Sequence, residues 1–209
     1  MKLALRNESP IGQAVGRLLE LAGLNLLWVL CCLPVVTAGA ATCALHFVLS
    51  PQRKEDEGAF RCFFRSFRQN FKQATLLWLL VLVMGILLLL CLRIVSFWEG
   101  TARTAGIVFF CVPAMLLLMV AGYGFPLLAQ FEIPGRRLIE DALLLSLAHF
   151  PRTLAVVGIT LLPAVLLYFL PSFLLCVLFV WVPVGFSLTA LAVERLLEPV
   201  FAPFREAAQ

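Results

Sequence analysis

The charged residues of this chain are confined to a few bands, and between them lie four runs without a single Asp, Glu, Lys or Arg: residues 21–52, 73–92, 104–131 and 153–193. An α-helix needs about 20 apolar residues to cross a hydrocarbon core of about 30 Å. The second and third runs fit one helix each, and the last, with 41 residues, fits two joined at Pro171-Ser172. The first run, with 32 residues, is long for one crossing and short for two. Pro34 divides it, because a proline has no N–H to give the helical ladder, and the stretch through Thr37 and Gly39 predicts a non-helical turn between two short helices.

Composition agrees with immersion in lipid. Hydrophobic residues make up 62% of the 209 residues and charged ones 13%, against roughly 45–50% and 25% in ordinary globular domains. Residues 76–90 are apolar on every helical face, whereas an outer-membrane barrel alternates apolar and polar positions. The expected fold class is therefore all-α: one polytopic transmembrane helical bundle over 1–209. The net charge of +4 does not indicate nucleic acid, since the 16 Lys and Arg cluster between the apolar runs.

The distribution of those cations selects a topology. If the first run goes in and comes back, giving about six crossings, 14 of the 16 basic residues share one side and only Arg93 and Arg103 lie opposite. A single crossing there would change the split to 11 against 5. The positive-inside bias favours the first arrangement, with both termini cytoplasmic. Residues 35–49 can cross fully or re-enter. A cleavable leader is disfavoured, because Glu8 and Glu20 interrupt it and hydrophobicity continues past Ala40.

Two amphipathic helices are expected on the cytoplasmic side. Phe60, Phe63, Phe64, Phe67 and Phe71 follow helical spacing, with Arg61, Arg65, Arg68 and Lys72 as a second row about 100° around the axis. Such a helix can sink its rings into the acyl boundary and hold its cations at phosphate level, so these residues are candidates for contact with anionic lipid headgroups or an acidic partner. The second helix covers residues 136–149, with Glu140 and Asp141 near its start. Aligning Asn70-Phe71-Lys72 with His149-Phe150-Pro151 suggests an internal repeat, 60–131 and 136–195.

The stretch Leu24-Asn25-Leu26-Leu27-Trp28-Val29-Leu30-Cys31-Cys32-Leu33-Pro34-Val35-Val36-Thr37-Ala38-Gly39-Ala40-Ala41-Thr42-Cys43-Ala44-Leu45 resembles the N-terminal signature of the YesL-like family of bacterial integral membrane proteins. The likeness extends through Phe63-Phe64-Arg65-Ser66-Phe67-Arg68-Gln69-Asn70-Phe71-Lys72-Gln73-Ala74, and more weakly through Tyr123-Gly124-Phe125-Pro126-Leu127-Leu128-Ala129 and Asp141-Ala142-Leu143-Leu144-Leu145-Ser146-Leu147-Ala148. It implies a small multispanning protein of the cytoplasmic membrane, encoded beside carbohydrate-uptake and polysaccharide-breakdown systems, with no characterised activity. His149 departs from the family's usual polar or small residue.

Candidate chemistry is sparse. His46 and His149 are the only histidines, with no Cys or carboxylate at ligand spacing, so neither a metal site nor a cofactor is expected. No nucleophile elbow or phosphate-cradling glycine loop appears, and no catalytic residue is assigned. Of the seven cysteines, Cys31, Cys32, Cys43, Cys91, Cys111 and Cys176 fall inside apolar stretches and read as small core residues, and Cys62, in a charged segment, fits a reducing cytoplasmic side. Glu132, Glu194 and Arg93 fall at run ends and read as interfacial. Asn25 and Thr37 are polar groups in or beside an apolar run: the bland reading makes Asn25 an interhelical hydrogen bond and Thr37 a helix cap, and the functional one puts them on a solute path. Gly39 is expected to permit a turn or a close helix approach, and Asn70 to belong to the juxtamembrane helix. These readings together point to a non-enzymatic accessory protein contacting lipid and components of a carbohydrate-uptake system. The alternative is a transporter of a sugar or oligosaccharide.

Overall fold

The computed structural model describes residues 10–53, 57–169 and 181–207, and among them there are helices and no strand. The helices are α1 (Pro10–Cys32), α2 (Ala38–Leu49), α3 (Ala59–Ser96), α4 (Gly100–Gln130), α5 (Gly135–Ala148), α6 (Phe150–Phe169) and α7 (Phe186–Ala207). A 3-10 turn, Val35–Thr37, precedes α2, and a π-helical turn, Trp181–Gly185, leads into α7. Among the described residues, four stretches are long and apolar enough to cross a membrane: Ala14–Cys32, Ala59–Ser96, Gly100–Gln130 and Phe150–Phe169. Their outward side chains are those of an oil-facing surface. Leu76, Leu89 and Leu90 on α3 and Val108, Phe109 and Val112 on α4 are all exposed, and large apolar side chains exposed in such numbers mark a surface that contacts something other than water. The expected break at Pro171-Ser172 lies outside the described residues.

Pro34 ends α1 as its chemistry requires. The Thr37 hydroxyl donates to the Cys31 carbonyl at 2.5 Å and the Pro34 carbonyl at 2.8 Å. Thr37 holds the N-cap position of α2 but makes no cap bond there; it closes the open end of α1 instead. Glu20 pairs with Arg53 at 2.6 Å, so the start of α1's apolar part and the exit of α2 lie at one level, and α1–α2 is a hairpin. With 12 residues, α2 is about 18 Å long, well short of the hydrocarbon thickness.

This short helix is the axis of the bundle. Ala40 and Cys43 belong to a core shared with α3, α4, α5, α6 and α7. Ala41, Ala44, Leu45 and Val48 belong to a second core with Leu24, Phe63 and Ala190. Small residues on both faces let its neighbours approach closely. The closest approach is at Gly39, where an added Cβ would stand 2.4 Å from the Ala74 carbonyl oxygen and 2.5 Å from Trp78 Cβ. Trp78 Nε1 donates to the Val35 carbonyl at 2.7 Å, so the tip of the hairpin meets α3 at Trp78. Arg93 is 15 residues farther along α3, and about 22 Å of that helix continues past the hairpin.

The stretch read as a separate interfacial helix is the first third of α3, which runs unbroken for 38 residues. Its Phe row does not face the acyl boundary throughout. Phe63 is 0% exposed against α2, and Phe67 and Phe71 pack on the larger core; only Phe60 and Phe64 are exposed. The apolar face was read correctly as apolar, but its partner is protein, because α2 lies against it.

The second amphipathic helix, α5, stands apart. Glu140 and Asp141 sit beyond its first turn, too far along to feel the helix dipole strongly, and Glu140 faces Arg136 at 4.0 Å with both exposed. The helix ends at His149, whose backbone (φ −117°, ψ 45°) leaves the helical region. Pro151 explains the break, since it cannot donate to the carbonyl one turn back; at the matching position α3 has Lys72 and continues. Thr153 repairs the interruption: its hydroxyl donates to the Ser146 carbonyl at 2.6 Å and accepts from the Tyr123 hydroxyl at 2.9 Å.

If α2 is held through Gly39, Gly39→Val should destabilise the fold by about 1–3 kcal/mol or prevent folding, because the clash includes backbone. Gly58→Ala, where nothing lies within 4 Å of the added carbon, should leave the melting temperature in detergent unchanged. Equal melting of the two variants would contradict the contact.

Candidate functional site

Three helices bring a polar cluster together inside the bundle. Glu194 on α7 is 3% exposed, although it terminates a charge-free run and was expected at an interface. Its Oε1 meets His46 Nδ1 of α2 at 2.9 Å, and its Oε2 accepts from Gln130 Nε2 of α4 at 2.8 Å. Facing a carboxylate, Nδ1 is the ring nitrogen that carries hydrogen. Burying a carboxyl group away from water is costly unless its oxygens are hydrogen-bonded, and both oxygens of this one are met by side chains on separate helices. The same bond fixes the Gln130 amide: with Nε2 turned to Glu194, Oε1 is buried and has no partner among the described residues.

Beside the cluster a cleft of about 1220 Å³ opens between the end of α2, the first third of α3 and the α4–α5 connection. Gln130 is part of its wall, as is Phe47, the neighbour of His46. Arg68 and Lys72 line the α3 side and Glu132 the α4–α5 side, with the rings of Phe67, Phe71 and Phe131 between. The cleft lies where the charge-free run 73–92 begins on α3 and where the run 104–131 ends on α4, which is the polar–apolar boundary of both helices.

The basic row of α3 is therefore divided. Arg68 and Lys72 line the cleft, but Arg65 is held by a bidentate pair with Glu57, one leg at 2.7 Å, and lies 5.9 Å from the Phe47 ring centre. Arg61 is exposed on the helix surface. Asn70 also lines the cleft and reaches Ser66 Oγ at 3.4 Å.

Asn25, fully buried, is occupied by backbone. Its Nδ2 donates to the carbonyls of Trp181 and Val182 at 3.1 and 2.6 Å, and its Oδ1 accepts from Ser187 N–H at 2.7 Å. A π-helical turn displaces the regular i→i−4 ladder, and Asn25 supplies the lost partners from 156 residues away. Six cysteines, Cys31, Cys32, Cys43, Cys62, Cys91 and Cys111, are free thiols. Among the described residues no group of three His, Cys, Asp or Glu could hold a metal ion.

Sequence reasoning missed the His46–Glu194–Gln130 cluster because it sought a metal around His46 within its own run. The available signal was different: a histidine inside a charge-free segment needs a partner from elsewhere, and Glu194 is the acid that abuts the longest apolar run. Residues 21–91 match the model of a family described as Protein of unknown function, DUF624. This stretch contains α2 and most of α1 and α3, hence the hairpin, Gly39, His46 and the basic row, but neither Gln130 nor Glu194. No curated protein and no solved structure matches the chain.

Removing one partner from a buried hydrogen-bonded pair leaves the other's polar atom unsatisfied, so Glu194→Leu or His46→Leu should destabilise the protein by about 1–3 kcal/mol. The double variant should cost clearly less than the sum. Thermal unfolding in detergent, with exposed Glu140→Leu as the comparison, measures both; additive losses would show that the two residues do not interact.

Proposed function

We propose that the chain is a non-enzymatic accessory protein of the bacterial cytoplasmic membrane, working through helix packing and contacts on its basic face. The observation that carries this reading is the use made of the polar groups inside the apolar runs. Asn25 closes the π turn, Thr37 closes α1, and Tyr123 and Thr153 bridge the break between α5 and α6. A solute path needs polar groups left free to exchange partners with cargo, whereas these are committed to joining helices. The carbohydrate-uptake setting rests on the YesL-like resemblance alone.

In this reading both termini and the first third of α3 face the cytoplasm, where the positive-inside bias puts 14 of the 16 cations. The hairpin α1–α2 is a re-entrant pair: the Glu20–Arg53 contact supports a return to the side of entry, and the meeting of its tip with α3 at Trp78 supports partial depth. Such backbone is tolerated at membrane depth where protein surrounds it.

Mild crosslinking in native membranes followed by purification should recover membrane components of a carbohydrate-uptake complex. Recovery of the protein alone or as a homo-oligomer would overturn the accessory reading. In liposomes the purified protein should give no saturable uptake across a panel of sugars and oligosaccharides; saturable uptake would install the transporter reading in its place.

A further inference from the structure

We propose that the cleft between α2, α3 and the α4–α5 connection is a specific binding site for a hydroxyl-bearing phosphate ester, of which a glycerol phosphate headgroup is the simplest form. The inference goes beyond the accessory reading and holds whether or not a protein partner exists; it needs only the membrane-embedded fold.

The two walls carry complementary chemistry. On α3, Arg68 and Lys72 are four residues apart and so stand one helical turn from each other on a shared face, a spacing at which two cations can flank one phosphate. On the α4 side the groups are acceptors. Glu132 offers an exposed carboxylate, and Gln130 is part of the same wall with its Oε1 enclosed and unpartnered among the described residues. A bare phosphate has no use for an acceptor, since it brings no donor of its own when fully ionised, but an alcohol group on the same ester would donate to Glu132. The buried cluster holds Gln130 in the cleft wall. Phe67, Phe71 and Phe131 provide apolar surface for the carbon skeleton.

Depth favours this chemistry as well. The cleft lies at the polar–apolar boundary of α3 and α4, the level at which a bilayer places its phosphates. Arg65 cannot serve in the same way, because it is already paired with Glu57. General attraction of a basic helix to an anionic surface would use every exposed cation alike; a built site would use Arg68 and Lys72.

The test is native mass spectrometry of the full chain in detergent, titrated with phosphatidylglycerol, phosphatidic acid and phosphatidylcholine, with soluble glycerol 3-phosphate as competitor. Phosphatidylglycerol should bind saturably and more tightly than phosphatidic acid, whose phosphate bears no free alcohol. The double variant Arg68→Ala/Lys72→Ala should weaken it at least about 10-fold, from roughly 1 kcal/mol per cation near a phosphate layer, and Arg136→Ala/Arg137→Ala should not change it. Glu132→Ala should abolish the preference over phosphatidic acid, a readout that survives if Gln130→Leu fails to fold. Displacement by glycerol 3-phosphate would assign the site to a soluble ester and no displacement to a lipid headgroup, both upholding the proposal. Equal weakening by the two double variants, or phosphatidic acid binding as tightly as phosphatidylglycerol, would overturn it.

Discussion

A carboxylate placed among apolar helices survives only if its hydrogen-bond donors come with it, and Glu194 is arranged on that condition. His46 and Gln130 reach it from α2 and α4, so one side chain ties together the helix that lies at the axis, a long membrane-crossing helix and the last helix described. The same constraint governs the other polar groups inside the bundle. Lipid offers no substitute hydrogen bond, and Asn25, Tyr123 and Thr153 are each met by a partner on another element or by a broken piece of backbone. Asn25 and Thr153 are of the second kind: a π turn and a proline break leave carbonyls open, and a side chain from another helix or another turn closes them. Specific pairing of this sort substitutes for the hydrophobic effect, which hardly favours helix association where the solvent is itself apolar.

The charge-free runs made the long helices legible, because 20 or more consecutive apolar residues have few alternatives. Pro34 and the 135–148 helix were legible for similarly local reasons: proline cannot continue a ladder, and apolar residues at helical spacing need a surface. What escaped was whatever depended on a neighbour distant in sequence. The Phe row of α3 has the same spacing whether it faces lipid or α2, and nothing within residues 60–72 distinguishes the two. Glu194 at the end of an apolar run looks the same whether the helix exits the bilayer there or continues into the bundle. Asn25 could be read as a polar group requiring a partner, but not as the partner of a turn 156 residues later.

The arrangement also relates the buried cluster to the surface. Gln130 bonds to Glu194 and lies in the wall of the cleft, so the buried cluster and the cleft share a side chain. Arg68 and Lys72 share that cleft, whereas Arg65 on the same helix is turned to Glu57. A row of cations that is uniform in sequence therefore becomes two populations in space, one committed within the protein and one open at the membrane boundary.

Backbone hydrogen exchange of the full chain in lipid nanodiscs tests the central claim most directly, which is that α2 owes its stability to enclosure by protein rather than to crossing the bilayer. An isolated helix of 12 residues is marginal in water, so enclosure should give residues 38–49 protection equal to that of the apolar part of α3. Exchange over 38–49 as fast as in α5, whose outer face is exposed, would contradict the account.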